Sequence, residues 1–199
     1  MLGGIASGKS EVARAFAGEA GEVLDADRLA HEVLAEPEVR EWIARRFGAA
    51  CVGGGGIDRA ALAERVFADP AARTELEARV HPVVRERLRQ RLAAARARGV
   101  PRIALDVPLL LENAAAHGLD SECDALIFVD ADARVREARA LARRGWKPGE
   151  LARREAAQLP LERKRARADF VVRNDGDLEH LRAQVASIVA ALARRRAAH

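Results

Sequence analysis

The sequence predicts an α/β fold in which helices cover both faces of a parallel sheet, and two observations indicate it. Short apolar runs alternate with helical patterns along the 199 residues, which is the order typical of parallel sheets. A glycine-rich loop, GGIASGKS at residues 3–10, precedes the first helical pattern, as phosphate-binding loops do. The length allows one core with small inserted lobes.

The elements follow in order along the chain. The predicted strands after the loop are residues 23–24, 102–107, 125–130 and 170–173, which are apolar runs bounded by turn or acidic residues. The predicted helices are residues 10–16, 58–67, 70–98, 132–144, a segment opened by Pro148, and 177–196. Asp132 is the predicted N-cap of its helix.

Residues 28–99 carry no core strand, so they are predicted to form a helical lobe inserted between the second and third strands. The run of four glycines at 53–56 is predicted to be a loop. The helix over 70–98 is expected to bend near His81-Pro82, because proline disfavours helix in the residue before it.

Composition narrows the class of protein. Lys and Arg (34) exceed Asp and Glu (30) for a net charge of +4, but aromatic residues make up 4%, so a nucleic-acid surface with stacking rings is disfavoured. Cys51 and Cys123 form no CxxC pair, which argues against a zinc site or disulfide framework and fits a reducing cytosol. No apolar run approaches the roughly 20 residues of a membrane helix, and no signal peptide is visible.

The loop from Gly3 to Ser10 fits G-x-x-x-x-G-K-[ST] at every fixed position. Backbone N–H groups of such a loop cradle phosphate oxygens, and the following helix points its positive end at the same anion. Lys9 would reach the β- and γ-phosphates of ATP, and the Ser10 hydroxyl would bind Mg²⁺. Glu11 places a carboxylate in the first turn of the helix, which suits the helix dipole.

Only Met1 and Leu2 precede the loop, although such a loop normally follows a buried strand. Two residues at about 3.3 Å each do not span a sheet. We expect a segment of roughly five to eight residues upstream of Met1. The alternatives are a fold that tolerates an unusually short strand, or a chain that folds poorly as written.

Acidic residues follow two of the predicted strands. In VLDAD, residues 23–27, Asp27 could accept or position the proton of an attacking hydroxyl, with Asp25 as support; the alternative is a helix N-cap. In DVPLLLE, residues 106–112, Asp106 could hold Mg²⁺ directly or through water, or only end the strand. Leu110 and its neighbours either pack in the core or line a substrate cleft.

Two arginine pairs, Arg143-Arg144 and Arg153-Arg154, lie in consecutive predicted helices. Hinged helices that carry arginines bring positive charge onto a transferring phosphoryl group. Each arginine alone is typical of a solvated helix face, but the paired arrangement favours a lid.

The chain resembles the dephospho-coenzyme A kinase family. The resemblance covers nearly the whole chain, in order, and rests on five segments: GGIASGKSEVARAF, LDADRLAHEV, IDRAALAERVFADPAARTELEARVHPVV, DVPLLLE and AAQLPLERKRARADFVVRNDGDLEHL. It implies ATP-dependent phosphorylation of the ribose 3′-hydroxyl of dephospho-coenzyme A. It also implies a three-layer P-loop kinase core of five parallel strands (core 1–27, 100–134 and 165–199), with a helical substrate lobe at 28–99 and a helical lid at 135–164.

The resemblance also implies roles for single residues. The expected ATP contacts are Gly4, Ile5, Ala6, Ser7, Gly8, Lys9, Ser10 and Glu11, with Asn174 near the adenine. Lys9, Asp27 as base, and Arg143 in the lid are the expected catalytic residues, and Gln158 and Lys164 match lid-region positions. The substrate-binding candidates are Asp25, Asp106, Leu110 and His81, for which a helix-kink histidine is the alternative; Ser10 and Asp106 are the metal candidates.

Three departures from the family pattern stand out. The first strand is almost absent, and Arg144 occupies a position where an acidic residue is common. Ala6 stands where glycine is more frequent, and its methyl group should be tolerated if φ is negative there.

Two other functions remain open: another P-loop small-molecule kinase, of the nucleoside monophosphate type, or a P-loop ATPase linked to nucleic acid. The expected partner is dephospho-coenzyme A, without nucleic acid or membrane, in a monomer or weak homo-oligomer.

Overall fold

The fold is given by a computed structural model that describes residues 1–53, 56–114 and 118–198. The chain divides into two compact units. The first joins Met1–Leu24 to Ala97–His199, and the second is Asp25–Arg96. Within the described ranges, no helix has both the length and the apolar character needed to cross a bilayer.

The strands are β1 (Leu2–Gly3), β2 (Glu22–Asp25), β3 (Val52–Gly53), β4 (Gly56–Ile57), β5 (Ile103–Asp106), β6 (Ile127–Asp130) and β7 (Phe170–Arg173). The helices are α1 (Lys9–Ala17), α2 (Ala26–Leu34), α3 (Pro37–Phe47), α4 (Arg59–Ala68), α5 (Pro70–Ala97), α6 (Ala133–Arg144), α7 (Glu150–Glu155), α8 (Leu161–Ala166) and α9 (Leu178–Ala197). A short 3₁₀ helix spans Ala49–Cys51. Every strand and helix that the sequence predicts is present, with ends shifted by at most a few residues.

The strands of the first unit form two hydrogen-bonded groups. β1, β6 and β7 pair in parallel in that order, with Leu2 opposite Phe128 and Ile127 opposite Phe170. β2 pairs with β5. The Met1 nitrogen donates to the Leu105 carbonyl oxygen at 2.8 Å, which brings β5 beside the segment that enters β1. The predicted α/β fold with a parallel sheet is therefore confirmed.

Apolar side chains from strands and helices bury the sheet of this unit. Val129 of β6, Val172 of β7 and Val12 of α1 are inaccessible to solvent, and Leu181 of α9 packs with them. α1 contacts both α9 and β5. Successive residues of β6 are buried on both faces, as expected for a strand covered by helices on each side. This core fixes the loops that follow β1, β5 and β7.

Aspartates begin several of the helices. The Asp132 carboxylate accepts from the Arg134 N–H at 2.8 Å, which confirms the predicted cap of α6. Asp177 accepts from the N–H of His180 at 2.8 Å at the start of α9. Such caps satisfy N–H groups that the first helical turn leaves unpaired, so these helix starts could be found from sequence.

The second unit is mostly helical, and one feature corrects the prediction. Gly53 and Gly56, predicted as loop, lie in the antiparallel pair β3–β4, in which Val52 is opposite Ile57. The other two glycines of that run, at positions 54 and 55, lie outside the described residues. α5 is one continuous helix with Pro82 in its interior. Its bounds, Pro70–Ala97, agree with the predicted helix over 70–98.

Candidate active site

The loop between β1 and α1 takes a conformation that requires glycine at its end. Gly8, the residue before α1, has φ +90°, in the left-handed region. A Cβ atom there would lie 2.1 Å from Asn174 Nδ2. Both its conformation and this close approach therefore exclude a larger side chain.

The backbone of Ala6 does not have the negative φ under which alanine would be tolerated there. Its φ is +58°, so the condition of negative φ under which the methyl group should be tolerated is not met. The left-handed region costs a residue with a Cβ atom about 1–2 kcal/mol. The loop therefore holds Ala6 in a strained conformation.

The Lys9 ammonium group folds back over the loop that precedes it. Lys9 Nζ donates to the Gly4 carbonyl oxygen at 2.8 Å and to that of Gly3 at 3.3 Å. Because Lys9 also begins α1, its charge lies at the positive end of a helix. Loop amides, helix end and ammonium group together favour a polyanion.

The side chains of Ser10 and Asp106 contact each other beside the phosphate loop. The Ser10 hydroxyl donates to Asp106 Oδ2 at 2.5 Å, which ties the first turn of α1 to the end of β5. Asp106 is 5% exposed. A carboxylate beside a hydroxyl offers the oxygen ligands that Mg²⁺ prefers. In the described ranges, no cluster of three or more His, Cys, Asp or Glu side chains offers a metal site made of protein ligands alone.

Asn174, which follows β7, binds the backbone of the phosphate loop through its side chain. Its Nδ2 donates to the Ser7 carbonyl oxygen at 2.8 Å, and the Asn174 side chain is almost fully buried. Arg139 of α6 donates to the Asn174 carbonyl oxygen at 2.9 Å and to that of Ser7 at 3.5 Å. The structure therefore places Asn174, an expected adenine contact, against the backbone of the phosphate loop.

Three residues at the loop were not predicted from the sequence: Arg136, Arg139 and Glu155. Glu155 Oε1 accepts from the Ile5 N–H at 2.9 Å, and Arg136 pairs with the same oxygen. One signal was available for the arginines: Arg136, Arg139 and Arg143 are spaced i, i+3 and i+7, on one face of α6. No sequence pattern singles out Glu155.

The predicted lid arginines occupy different environments. Arg143 is exposed on α6. Arg153 and Arg154 both pair with Glu150, at 2.8 and 2.7 Å, and their side-chain hydrogen bonds lower the pKa of Glu150 to about 2. The Arg154 guanidinium also lies 4.4 Å from the centroid of the Trp146 ring, a cation–π contact.

The loop after β5 is tied to the C-terminal part of the predicted lid. Lys164 Nζ lies 2.6 Å from Glu112 Oε1 and donates to Gln158 Oε1 at 3.1 Å. The Lys164 side chain is 5% exposed, so this is a buried ion pair. Leu110 is 2% exposed, which favours its packing alternative over a substrate contact.

Three candidates belong to the second unit. Asp25 caps α2, since its carboxylate accepts from the Arg28 N–H at 3.0 Å. The N-cap that was the alternative role for Asp27 is therefore filled by Asp25. Asp27 lies in the first turn of α2 and is exposed. His81 is exposed on α5, directly before Pro82.

Known proteins resemble this chain over most of its length. The dephospho-CoA kinase family profile matches residues 1–180. The chain belongs to the dephospho-CoA kinase family. Two relatives named dephospho-CoA kinase are those of Symbiobacterium thermophilum, 42% identical over 93% of this chain and 77% of that protein, and of Deinococcus radiodurans, 44% identical over 93% and 87%.

Solved structures support the same fold. The protein TT1252 from Thermus thermophilus superposes with a TM-score of 0.76 at 39% identity, over 96% of this chain and 94% of that one. Dephospho-CoA kinase from Campylobacter jejuni has the same fold, with a TM-score of 0.67 at 21% identity over the same shares. The predicted family and its kinase activity, which uses ATP as co-substrate, are thus confirmed.

Proposed function

We propose that residues 3–10 bind the phosphates of ATP and that Lys9 is the catalytic cation of this dephospho-CoA kinase. The observation that carries the proposal is the Lys9 ammonium group held by the Gly4 carbonyl oxygen, 2.8 Å away, at the start of α1. An ammonium fixed beside the β- and γ-phosphates stabilises the charge that develops on the transferred group. Exposed Arg143 would add charge from the lid side.

Ser10 and Asp106 are the proposed magnesium ligands. Their 2.5 Å hydrogen bond shows that a hydroxyl and a carboxylate oxygen already lie together, as a shared hard cation requires. Mg²⁺ usually takes one or two carboxylates and completes its shell with phosphate oxygens and water. When bound, the ion would neutralise charge on the phosphate oxygens.

Asp27 is the proposed base for the acceptor. Its carboxylate would take the proton from the ribose 3′-hydroxyl of dephospho-coenzyme A, whose oxygen forms the new bond to the γ-phosphorus. The bond from that phosphorus to the β-phosphate oxygen breaks, and ADP leaves. Two features support this role: Asp27 is exposed, and helix capping is done by Asp25 instead.

The remaining residues fall into three groups. His81, exposed on α5, and Asp25 are proposed to contact dephospho-coenzyme A, whereas Leu110 is proposed only to pack. Asn174 and Arg139 are proposed to hold the loop behind the nucleotide, because both donate to the Ser7 carbonyl oxygen. We propose a cytoplasmic enzyme that acts as a monomer or weak homo-oligomer. Light scattering after gel filtration would test this oligomeric state.

An acceptor screen tests the reaction. The protein with ATP and Mg²⁺ is offered dephospho-coenzyme A, AMP, CMP or shikimate, and the products are identified by mass spectrometry and phosphorus NMR. We expect coenzyme A, phosphorylated at the 3′ position, from the first acceptor and at most trace products from the others. A preference for AMP or CMP would instead support a nucleoside monophosphate kinase.

A single substitution tests the base. Asp27→Asn should lower kcat by roughly 10²- to 10⁴-fold, the range typical of a lost general base, with little change in ATP affinity. Asp69→Asn is the matched control, because Asp69 is another exposed aspartate at a helix start of the same unit. If Asp27→Asn keeps the turnover of the wild type, another group takes the proton.

A further inference from the structure

The peptide group between Gly4 and Ile5 is held on two sides. Its carbonyl oxygen accepts from Lys9 Nζ at 2.8 Å and from the Ser7 N–H at 3.3 Å. Its N–H donates to Glu155 Oε1 at 2.9 Å. A single peptide unit thus connects the proposed catalytic cation to a carboxylate 150 residues away in the sequence.

The geometry of this peptide determines where Glu155 lies. No cis peptide bond occurs in the described ranges, and in a trans peptide the C=O and N–H bonds point in opposite directions. The Glu155 carboxylate therefore lies on the side of the loop opposite to the Lys9 ammonium group. In this position it does not compete with phosphate oxygens for the face that Lys9 occupies.

Arg136 holds the Glu155 carboxylate in place. It pairs with the same Oε1 atom that accepts from Ile5, and its Nε donates to the Ala131 carbonyl oxygen, just after β6, at 3.0 Å. The side chains of Arg136 and Glu155 are 7% and 19% exposed. A Cβ atom at Gly4 would lie 2.6 Å from Arg136 Nη1 and 2.7 Å from Glu155 Oε1, so the pair packs directly on the loop.

We propose that Glu155, held by Arg136, is a positioning residue for Lys9. The carboxylate orients the Gly4–Ile5 peptide so that its carbonyl oxygen faces and fixes the ammonium group. Because Glu155 is the last residue of α7 and Arg136 belongs to α6, the contact also fastens the predicted lid to the phosphate loop. The inference rests on the role proposed for Lys9.

Steady-state kinetics and nucleotide binding test this role in the purified full-length protein. Glu155→Ala should lower kcat by roughly 10- to 100-fold, because small misplacements of catalytic groups have effects of this size. The KM for dephospho-coenzyme A should change by less than about twofold, since Glu155 orients a phosphate contact only. Calorimetry should show weaker ATP binding and unchanged adenosine binding, because adenosine has no phosphates for Lys9.

The structure offers a matched control on the neighbouring helix. Glu137 of α6 also accepts from a backbone N–H, that of Gly149 at 3.2 Å, but it has no contact with the loop among those described. Glu137→Ala should therefore keep wild-type kinetics. Glu155→Gln retains an oxygen that can accept from Ile5, so it should recover part of the activity lost in Glu155→Ala.

Arg136 provides a second, independent test. Arg136→Met leaves the Glu155 carboxylate without its partner, so it should lower kcat more than the double variant Arg136→Met/Glu155→Gln does. This non-additivity is the expected signature of a directly interacting pair. Losses that add, so that the double variant is worse than either single variant by the full amount of the other, would contradict a role of Arg136 through Glu155.

Several results would overturn the proposal. They are wild-type kcat in folded Glu155→Ala, an equal loss of adenosine and ATP binding, which indicates a merely structural role, and tighter ATP binding, which indicates that Glu155 competes with phosphate. Thermal unfolding identifies any variant that fails to fold. If Glu155→Ala is such a variant, the kinetics of Glu155→Gln test the proposal instead. If wild-type protein shows no kinase activity, the proposed function fails, while the comparison of ATP with adenosine still tests Glu155.

Discussion

The Ser10 hydroxyl donates to Asp106 Oδ2 at 2.5 Å and so joins the first turn of α1 to the end of β5. The two residues are 96 positions apart in the sequence, but each was a metal candidate from its own motif. Their contact places the proposed magnesium ligands at the edge where the phosphate loop also lies.

Asp106→Asn should weaken the binding of Mg²⁺. The amide keeps an oxygen that accepts from Ser10 but loses the charge that attracts the cation. We expect the Mg²⁺ concentration for half-maximal activity to rise on the order of 10- to 100-fold, measured by titration at saturating ATP. Asp124→Asn is the control, because Asp124 forms an exposed ion pair with Arg196. An unchanged titration curve for Asp106→Asn would refute the assignment.

Ala6→Gly should stabilise the protein. Glycine removes the cost of about 1–2 kcal/mol for the left-handed φ, although its freedom in the unfolded chain offsets about 0.4–1 kcal/mol of that gain. The expected net gain of roughly 0.5–1 kcal/mol is measurable by urea unfolding. Ala13→Gly, in the interior of α1, should have the opposite sign. A loss of stability in Ala6→Gly would contradict the strain at that residue.

Gly8→Ala should abolish ATP binding while Gly48→Ala does not. Both glycines have positive φ, +90° and +102°, so both substitutions add backbone strain. The Cβ atom at Gly8 would lie 2.1 Å from Asn174 Nδ2, whereas the one at Gly48 meets no atom within 4 Å. Calorimetry with ATP separates the clash from the strain. Equal binding by the two variants would show that the contact with Asn174 is unimportant.

Lys164→Met should destabilise the protein by about 3–5 kcal/mol, because it leaves the Glu112 carboxylate buried without a partner. The double variant Lys164→Met/Glu112→Leu removes both charges and should recover much of that loss. Urea unfolding measures both. Since Glu112 also accepts from the Leu159 N–H at 3.2 Å, the recovery should be incomplete. A loss under about 1 kcal/mol in Lys164→Met would place this pair among the weak surface pairs.

Glu150 should remain ionised well into acid. Its hydrogen bonds with Arg153 and Arg154 lower its pKa from 4.5 to about 2. A lowered folded-state pKa means that the pair contributes to stability above about pH 4.5 and that this contribution disappears as the pH falls towards about 2. Carbon NMR of the Glu150 carboxyl group measures the titration. In Arg153→Gln/Arg154→Gln the midpoint should move back towards 4.5, and an unmoved midpoint would contradict the cause.

The sequence predicts those parts of the molecule that local patterns determine. The residues from Gly3 to Ser10 form the loop and enter α1 as their spacing indicates, and Asp132 caps α6. Apolar runs such as that of β6 are buried because both faces of the strand are covered. In each case the signal lies within a few neighbouring residues.

Contacts between distant residues were beyond such reasoning. Glu155 meets Ile5 across 150 positions, and nothing in the residues around Glu155 distinguishes it from a solvated helix end. The φ of Ala6 depends on how the whole loop closes. Similarly, DVPLLLE offered three leucines, and tertiary packing alone makes Leu110 buried while Leu109 remains 36% exposed.

The stacking of Arg154 on Trp146 has a practical consequence. The chain contains two tryptophans, and the other, Trp42, lies in α3 of the second unit. Trp42→Phe would leave one indole, placed between the two arginine-bearing helices α6 and α7. Its fluorescence would then report on movement of that segment when nucleotide binds, in stopped-flow mixing and without an attached dye.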